Sequence, residues 1–174
     1  MAILPLADLK NMLGRNDRLM GLDVGSKTVG LAMSDVNRTI ATPAETIRRG
    51  KFKEDAGAIH AIAAENGVAA YIIGLPVSMD GTEGPRCQSI RQFAKNLDEA
   101  IGADYAFWDE RLSTSAVERI LIRDADMTRK RRAEVVDKMA AAYILQGALD
   151  AMAHMTGAAP STAHGTAHDK AEDA

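Results

Sequence analysis

Residues Leu19 to Ser34 constrain the fold most tightly. Two apolar runs, Leu19 to Val24 and Val29 to Ser34, are joined by Gly25-Ser-Lys-Thr28. In the second run Val29, Leu31 and Met33 alternate with Gly30, Ala32 and Ser34, which is the period of a strand and not of a helix. In the first, Leu19, Gly21 and Asp23 face one way and Met20, Leu22 and Val24 the other. Gly25-Ser-Lys-Thr28 is close to a nucleotide-binding loop. That loop needs glycine directly before the lysine and a helix after it; here Ser26 intervenes and a strand follows. The spacing of Gly21, Gly25 and Gly30 also fails the dinucleotide fingerprint. The stretch is therefore expected to be a β-hairpin with a tight turn. It leaves one misfit, Asp23, late in an apolar strand, where an ionised carboxylate costs several kcal/mol or more unless it is paired or holds a metal. Asp23 either caps the turn through the amides of Gly25 or Ser26 or ligates a cation.

The remaining elements follow from periodicity and breakers. Residues Ala2 to Arg15 read as a short amphipathic helix with Leu6, Leu9 and Leu13 near one face. Ile40 to Ile47 is a weak third strand after a turn at Asp35 to Asn37. Phe52 to Glu65 is a helix stopped by Asn66-Gly67. Val68 to Leu75 is almost wholly apolar, as a central buried strand should be. A loop with a turn at Asp80-Gly81 leads to Pro85, which opens a helix to about Ala100. Asp104 to Trp108 is a strand, Ser115-Ala-Val-Glu118 a capping box opening a helix to about Ile122, and Ala133 to about Met152 the last helix. An antiparallel meander followed by alternating helices and parallel strands predicts an α/β fold with a mixed five-stranded sheet flanked by helices. The expected organisation is an N-terminal extension over 1–17, one domain over 18–155, and a tail over 156–174 with almost nothing to bury, expected to be disordered.

Two further acid positions stand out. Phe107-Trp-Asp-Glu-Arg-Leu-Ser113 ends a strand with Asp109, Glu110 and Arg111. Ligands collect at such strand ends in open α/β sheets. Asp109 and Glu110 should point to opposite faces, so only one serves a site under Asp23. Asp137 begins the apolar, small-residue stripe Ala140, Ala141, Ile144, Leu145 and Ala148 of the last helix. A carboxylate there is misplaced unless it serves the helix dipole, a role Glu134 would fill from an exposed position. Three acids brought together repel one another and bind a proton or a cation. An all-oxygen set suits Mg²⁺ or Mn²⁺. The histidines do not compete: His60 is a lone helix residue, and His154, His164 and His168 lie at or in the tail.

The formal net charge of -3 excludes an overall basic coat, so nucleic acid would be met by local patches. Arg129-Lys-Arg-Arg132 is one such run, either phosphate-contacting or merely solvated. The single cysteine, Cys87, excludes an internal disulfide framework. With no basic region before the first apolar residues and no run long enough to span a bilayer, a cytoplasmic protein without membrane attachment is expected. No exposed apolar stripe asks for a partner, which leaves a monomer or a homodimer.

The order of these features resembles the RNase H-like superfamily of nucleases and resolvases. Within it, four blocks resemble the YqgF/RuvX family of pre-16S rRNA nucleases, also described as Holliday junction resolvase-like: Gly21 to Asp35, Gly74 to Gly84, Asp109 to Thr114 and Asp137 to Gln146. The resemblance spans about Arg18 to Leu149. It implies an RNase H-like fold, and Asp23, Glu110 and Asp137 as catalytic acids on Mg²⁺ or Mn²⁺. It further implies phosphodiester hydrolysis, in pre-rRNA within ribosomal precursor particles or in branched DNA. Lys27 and Arg111 match basic positions of the blocks. The family usually reads Lys-Arg where this chain has Lys27-Thr28, which removes one phosphate contact. Ser78 and Thr82, on the loop after the central strand, are candidates for holding a phosphate, with simple turn chemistry at Asp80-Gly81 as the alternative. Arg129, Arg131 and Arg132 are candidates for the backbone. Two other classes compete: the actin-like ATPases, which need two such domains, and a non-catalytic RNA-binding assembly module.

Overall fold

The alternation over residues 19–34 is realised as an antiparallel pair at the centre of a mixed sheet. A computed structural model describes residues 3–112 and 129–155. The elements are α1 (Leu6–Met12), β1 (Arg18–Val24), β2 (Thr28–Ser34), β3 (Ala41–Arg48), α2 (Phe52–Glu65), β4 (Val68–Leu75), α3 (Pro85–Ile101), β5 (Tyr105–Asp109), a 3-10 turn (Glu110–Leu112) and α4 (Arg129–His154). The sheet order is β3-β2-β1-β4-β5. β1 runs antiparallel to β2 and parallel to β4; β2 runs antiparallel to β3, and β4 parallel to β5. This is the mixed five-stranded sheet expected of an RNase H-like fold. Among the described residues, no helix is long and apolar enough to cross a membrane.

The two sides of the sheet differ in the size of their side chains. Met20, Leu22, Leu31, Tyr71 and Ile73 pack against Ile59 of α2 and Ile90, Phe93 and Leu97 of α3. On the other side, Leu19, Ala32, Ala70, Ile72 and Ala106 meet Ala141, Ile144, Leu145, Ala148 and Leu149 of α4. Glycines and alanines dominate that side, and α4 lies correspondingly close. A Cβ at Gly21 would stand 2.7 Å from the carbonyl oxygen of Ala141, and one at Gly30 would run into the backbone carbonyl of Asp137. Gln146 ties α4 to the edge of the sheet: its Oε1 accepts from the Ala41 amide at 2.8 Å, and its Nε2 donates to the Thr39 carbonyl.

Helix α1 is shorter than the expected 2–15, because Pro5 sits at its start and Leu13 already has extended backbone. Its Leu9 is fully buried under α4, and Lys10 Nζ donates to the carbonyls of Met152 and Met155 at 2.6 and 2.7 Å, which satisfies the end of α4. The turn after β2 extends to Ile40 because the Asp35 carboxylate accepts from the amides of both Thr39 and Ile40. The last helix begins at Arg129 and not at Ala133. Basic residues are poor company for a helix N-terminus but good helix formers, and propensity prevails here. The capping-box helix over 115–122 and the tail over 156–174 lie outside the described residues.

The packing carries a prediction. Gly30→Ala should destabilise the protein by about 1–3 kcal/mol or more, because the new methyl meets a main-chain carbonyl that cannot turn aside. Gly57→Ala, at an exposed position of α2 with nothing within 4 Å of the added methyl, should stabilise it by about 0.5–1 kcal/mol. Urea midpoints of the two variants give both signs.

Candidate active site

The hairpin places Asp23 at the end of β1, opposite Gly30 on β2. The turn between them is closed by the Gly25 amide donating to the Thr28 carbonyl at 2.9 Å. Arg49 braces it from β3: its amide donates to the Lys27 carbonyl and its guanidinium to the Gly25 carbonyl, both at 2.8 Å. The hydrogen bonding is that of a strand connection, and no helix follows it.

Glu110 reaches the same place from β5. In the parallel β4–β5 register Gly74 pairs with Trp108, and in the β1–β4 register Leu22 pairs with Ile73. Gly74 therefore lies between the end of β1 and the end of β5. A Cβ on Gly74 would stand 2.7 Å from Glu110 Oε1 and would collide with Ile144 of α4. The missing side chain at 74 is the space that Glu110 uses. Asp109 is turned away and engaged by Arg111, whose Nη2 bonds Asp109 Oδ2 at 2.5 Å and whose amide donates to Oδ1 at 3.0 Å. Of the two neighbouring acids, Glu110 is the one brought to Asp23.

Asp137 descends from α4. It lies about two turns inside the helix, beyond the reach of the N-terminal dipole, so a dipole role does not account for it. Its Oδ2 accepts from the Thr28 hydroxyl at 2.5 Å. Its main chain rests on Gly30, the cross-strand partner of Asp23.

Asp23 feels the charges of both other acids. The pKa of Asp23 is raised from 3.8 to about 7, first by burial and then by the charges of Glu110 and Asp137, with Arg86 opposing. Burial also raises Glu110, again against Arg86. Arg86, in the first turn of α3, thus acts on two of the acids. Sequence reasoning missed it, because an arginine on an amphipathic helix carries no local signal; its place just after the loop of residues 76–84 was the available clue. Among the described residues, no three acid, imidazole or thiol side chains are already gathered as a metal cage.

The other expected site residues are more dispersed. Lys27 is exposed on the hairpin turn. Arg111 is committed to Asp109 and to the Ser78 carbonyl. In the loop of residues 76–84 the Thr82 hydroxyl and amide both donate to Asp80 Oδ1, and the Ser78 amide donates to the Thr82 carbonyl. Turn chemistry therefore uses the donors offered for a phosphate by Thr82 and by the Ser78 amide. Arg129, Arg131 and Arg132 fall in the first turns of α4, and their side chains lie outside the described residues.

The chain as a whole is similar to known proteins. The family model "RuvX: Holliday junction resolvase" matches residues 17–151. A protein of Paramagnetospirillum magneticum named "Putative pre-16S rRNA nuclease" is 63% identical over 150 residues, covering 86% of this chain and 96% of its own. One of Rhodospirillum centenum with the same name is 59% identical over 155 residues, covering 86% and 82%. Among solved structures, Thermus thermophilus RuvC is similar at 14% identity with a TM-score of 0.46, covering 78% of this chain and 96% of that one. The match of one family model to nearly the whole described fold, with relatives at such identity over most of their length, shows that the chain belongs to the RuvX family.

Proposed function

We propose that this RuvX-family nuclease hydrolyses phosphodiester bonds with a divalent cation, Mg²⁺ or Mn²⁺, held by Asp23, Glu110 and Asp137, and that it processes the 5′ end of pre-16S rRNA. The observation that carries the proposal is Asp23: a carboxylate in a strand, pushed towards the neutral form by burial and by two further acids. Such a cluster is costly as it stands and becomes favourable when a cation neutralises it. The donors are carboxylate oxygens, which fit a hard cation.

A bound divalent ion would supply Lewis-acid stabilisation of the scissile phosphate and lower the pKa of a water nucleophile. The chain's own part is to hold the acids in place. The backbone of α4 on Gly30 sets the height of Asp137, and Gly74 leaves room for Glu110. Arg86 offers a positive charge beside the cluster for a phosphate oxygen, and exposed Lys27 a second one on the hairpin turn. The relatives' names favour precursor rRNA as the substrate, and the family description supplies branched DNA as the rival. An all-acid site treats either backbone alike, so selectivity rests on surface shape.

Cleavage decides between them. The full chain with Mg²⁺ or Mn²⁺ should cut pre-16S rRNA and leave a four-way DNA junction intact. Asp23→Asn, Glu110→Gln and Asp137→Asn should each lose at least about a hundredfold in rate, since even a residue that merely supports a metal ligand is worth about 10–100-fold. Equal cleavage by all four proteins would sink the catalytic assignment, and preferential junction cutting would transfer it to DNA.

Stability gives a second check. Asp23 has a folded pKa above its unfolded value, so between about pH 4 and pH 7 the folded state binds more protons than the unfolded one. The contribution of Asp23 to the stability of the metal-free protein therefore falls as pH rises through that window. Asp23→Asn lacks this loss, so its melting temperature should exceed wild type by a margin that grows from pH 4 to pH 7 and is constant above. Adding Mn²⁺ at pH 8 should raise the wild-type value and leave Asp23→Asn nearly unmoved.

A further inference from the structure

Thr28 stands where the resemblance to the family calls for arginine, and its hydroxyl has a partner. It donates to Oδ2 of Asp137 at 2.5 Å, across 109 positions of sequence. The main chain that carries it is fixed on both sides. Its carbonyl accepts from Gly25, and in the sheet it pairs with Arg48 of β3. Gly25 lies close beneath it: a Cβ there would stand 3.0 Å from the Thr28 carbonyl oxygen. Thr28 shares its strand face with Gly30, which seats the Asp137 main chain. One face of β2 therefore sets both the backbone and the carboxylate of Asp137, while the strand before the same turn carries Asp23.

The geometry points to Thr28 as a positioning residue that orients the Asp137 carboxylate towards the divalent ion, an assignment that rests on the metal reading of the site. A carboxylate oxygen held by a hydroxyl loses rotational freedom, and the second oxygen keeps its lone pairs for a cation. Hydrogen bonds of this kind behind a metal ligand are worth about 10–100-fold in metal affinity or activity.

The test uses Mn²⁺ alone as the probe, with calorimetry on the metal-free full chain. Wild type is compared with Thr28→Val, which keeps the shape and loses the hydroxyl, Thr28→Ala, and Thr28→Ser, which restores the hydroxyl. Thr28→Val and Thr28→Ala should bind Mn²⁺ about 10–100-fold more weakly, and Thr28→Ser should stay close to wild type. In cleavage assays, saturating Mn²⁺ should restore most of the rate to Thr28→Val, because the ligands themselves are intact. Wild-type Mn²⁺ affinity in Thr28→Val and Thr28→Ala, with Asp137→Asn unable to bind, would overturn the role of Thr28 and leave the metal site standing. Tighter binding by Thr28→Val would also overturn it, by showing that the hydroxyl restrains Asp137. Wild-type affinity in both Asp23→Asn and Asp137→Asn would remove the metal site and this role together.

Discussion

The contact on which the rest depends is main chain against main chain: α4 lies on the small-residue side of the sheet, with the Asp137 carbonyl against Gly30 and the Ala141 carbonyl over Gly21. At Gly30 the nearest atoms are all main chain, and at Gly21 the Ala141 carbonyl is joined by Leu145 Cβ, so the absence of a side chain at the two glycines sets the separation of helix and sheet. Gly30 is also the cross-strand partner of Asp23. Two acids more than a hundred residues apart in sequence are thereby brought under one another without any attraction between them. Gly74 does the same for Glu110 from the opposite side of β1. The acid cluster is a consequence of packing, enforced by the apolar burial of α4 through Ile144, Leu145 and Leu149.

That enforcement has a cost, and the site shows where it is met. Like charges drawn together in a half-buried place raise their own proton affinity, as Asp23 does. Arg86 offsets part of this for Asp23 and Glu110, and the Thr28 hydroxyl offers Asp137 a hydrogen bond. Neither removes the excess of negative charge. A structure selected for stability alone would replace one acid with a neutral residue; retaining all three fits a fold that trades stability for a binding site.

The fold was legible wherever apolar periodicity ran up against a strong breaker. Phe52 to Glu65 and Val68 to Leu75 have the expected bounds because Asn66-Gly67 and Pro76 stop them. The start of α4 was not legible, since Arg129-Lys-Arg-Arg132 reads as a charged connector although its residues are good helix formers. Of the candidate site, alternation predicted that only one of Asp109 and Glu110 could face Asp23, and the Arg111–Asp109 pair shows which. Thr28 was legible only as a missing arginine, because its partner arrives from another element. Arg86 was hidden by its context, an arginine on an amphipathic helix. The phosphate-holding roles expected of Ser78 and Thr82 meet a loop whose Asp80 already takes both the amide and the hydroxyl of Thr82.

These placements bear on how a nucleic acid is met. The chain as a whole is negative, with a formal net charge of -3, and on the proposed mechanism a phosphate would approach three acids. Arg111 cannot offset them, because its charge is matched by Asp109 at 2.5 Å. Arg86, which acts on Asp23 and Glu110, and exposed Lys27 on the hairpin turn are cations among the described residues that could do so. On the proposed mechanism, an empty acid cluster repels a phosphodiester, and one neutralised by a divalent ion attracts it. Metal and substrate would then bind in a linked fashion, the first changing the sign of the field felt by the second. On that reading, the acids proposed to hold the ion would make the metal-free protein a poor binder of its own substrate.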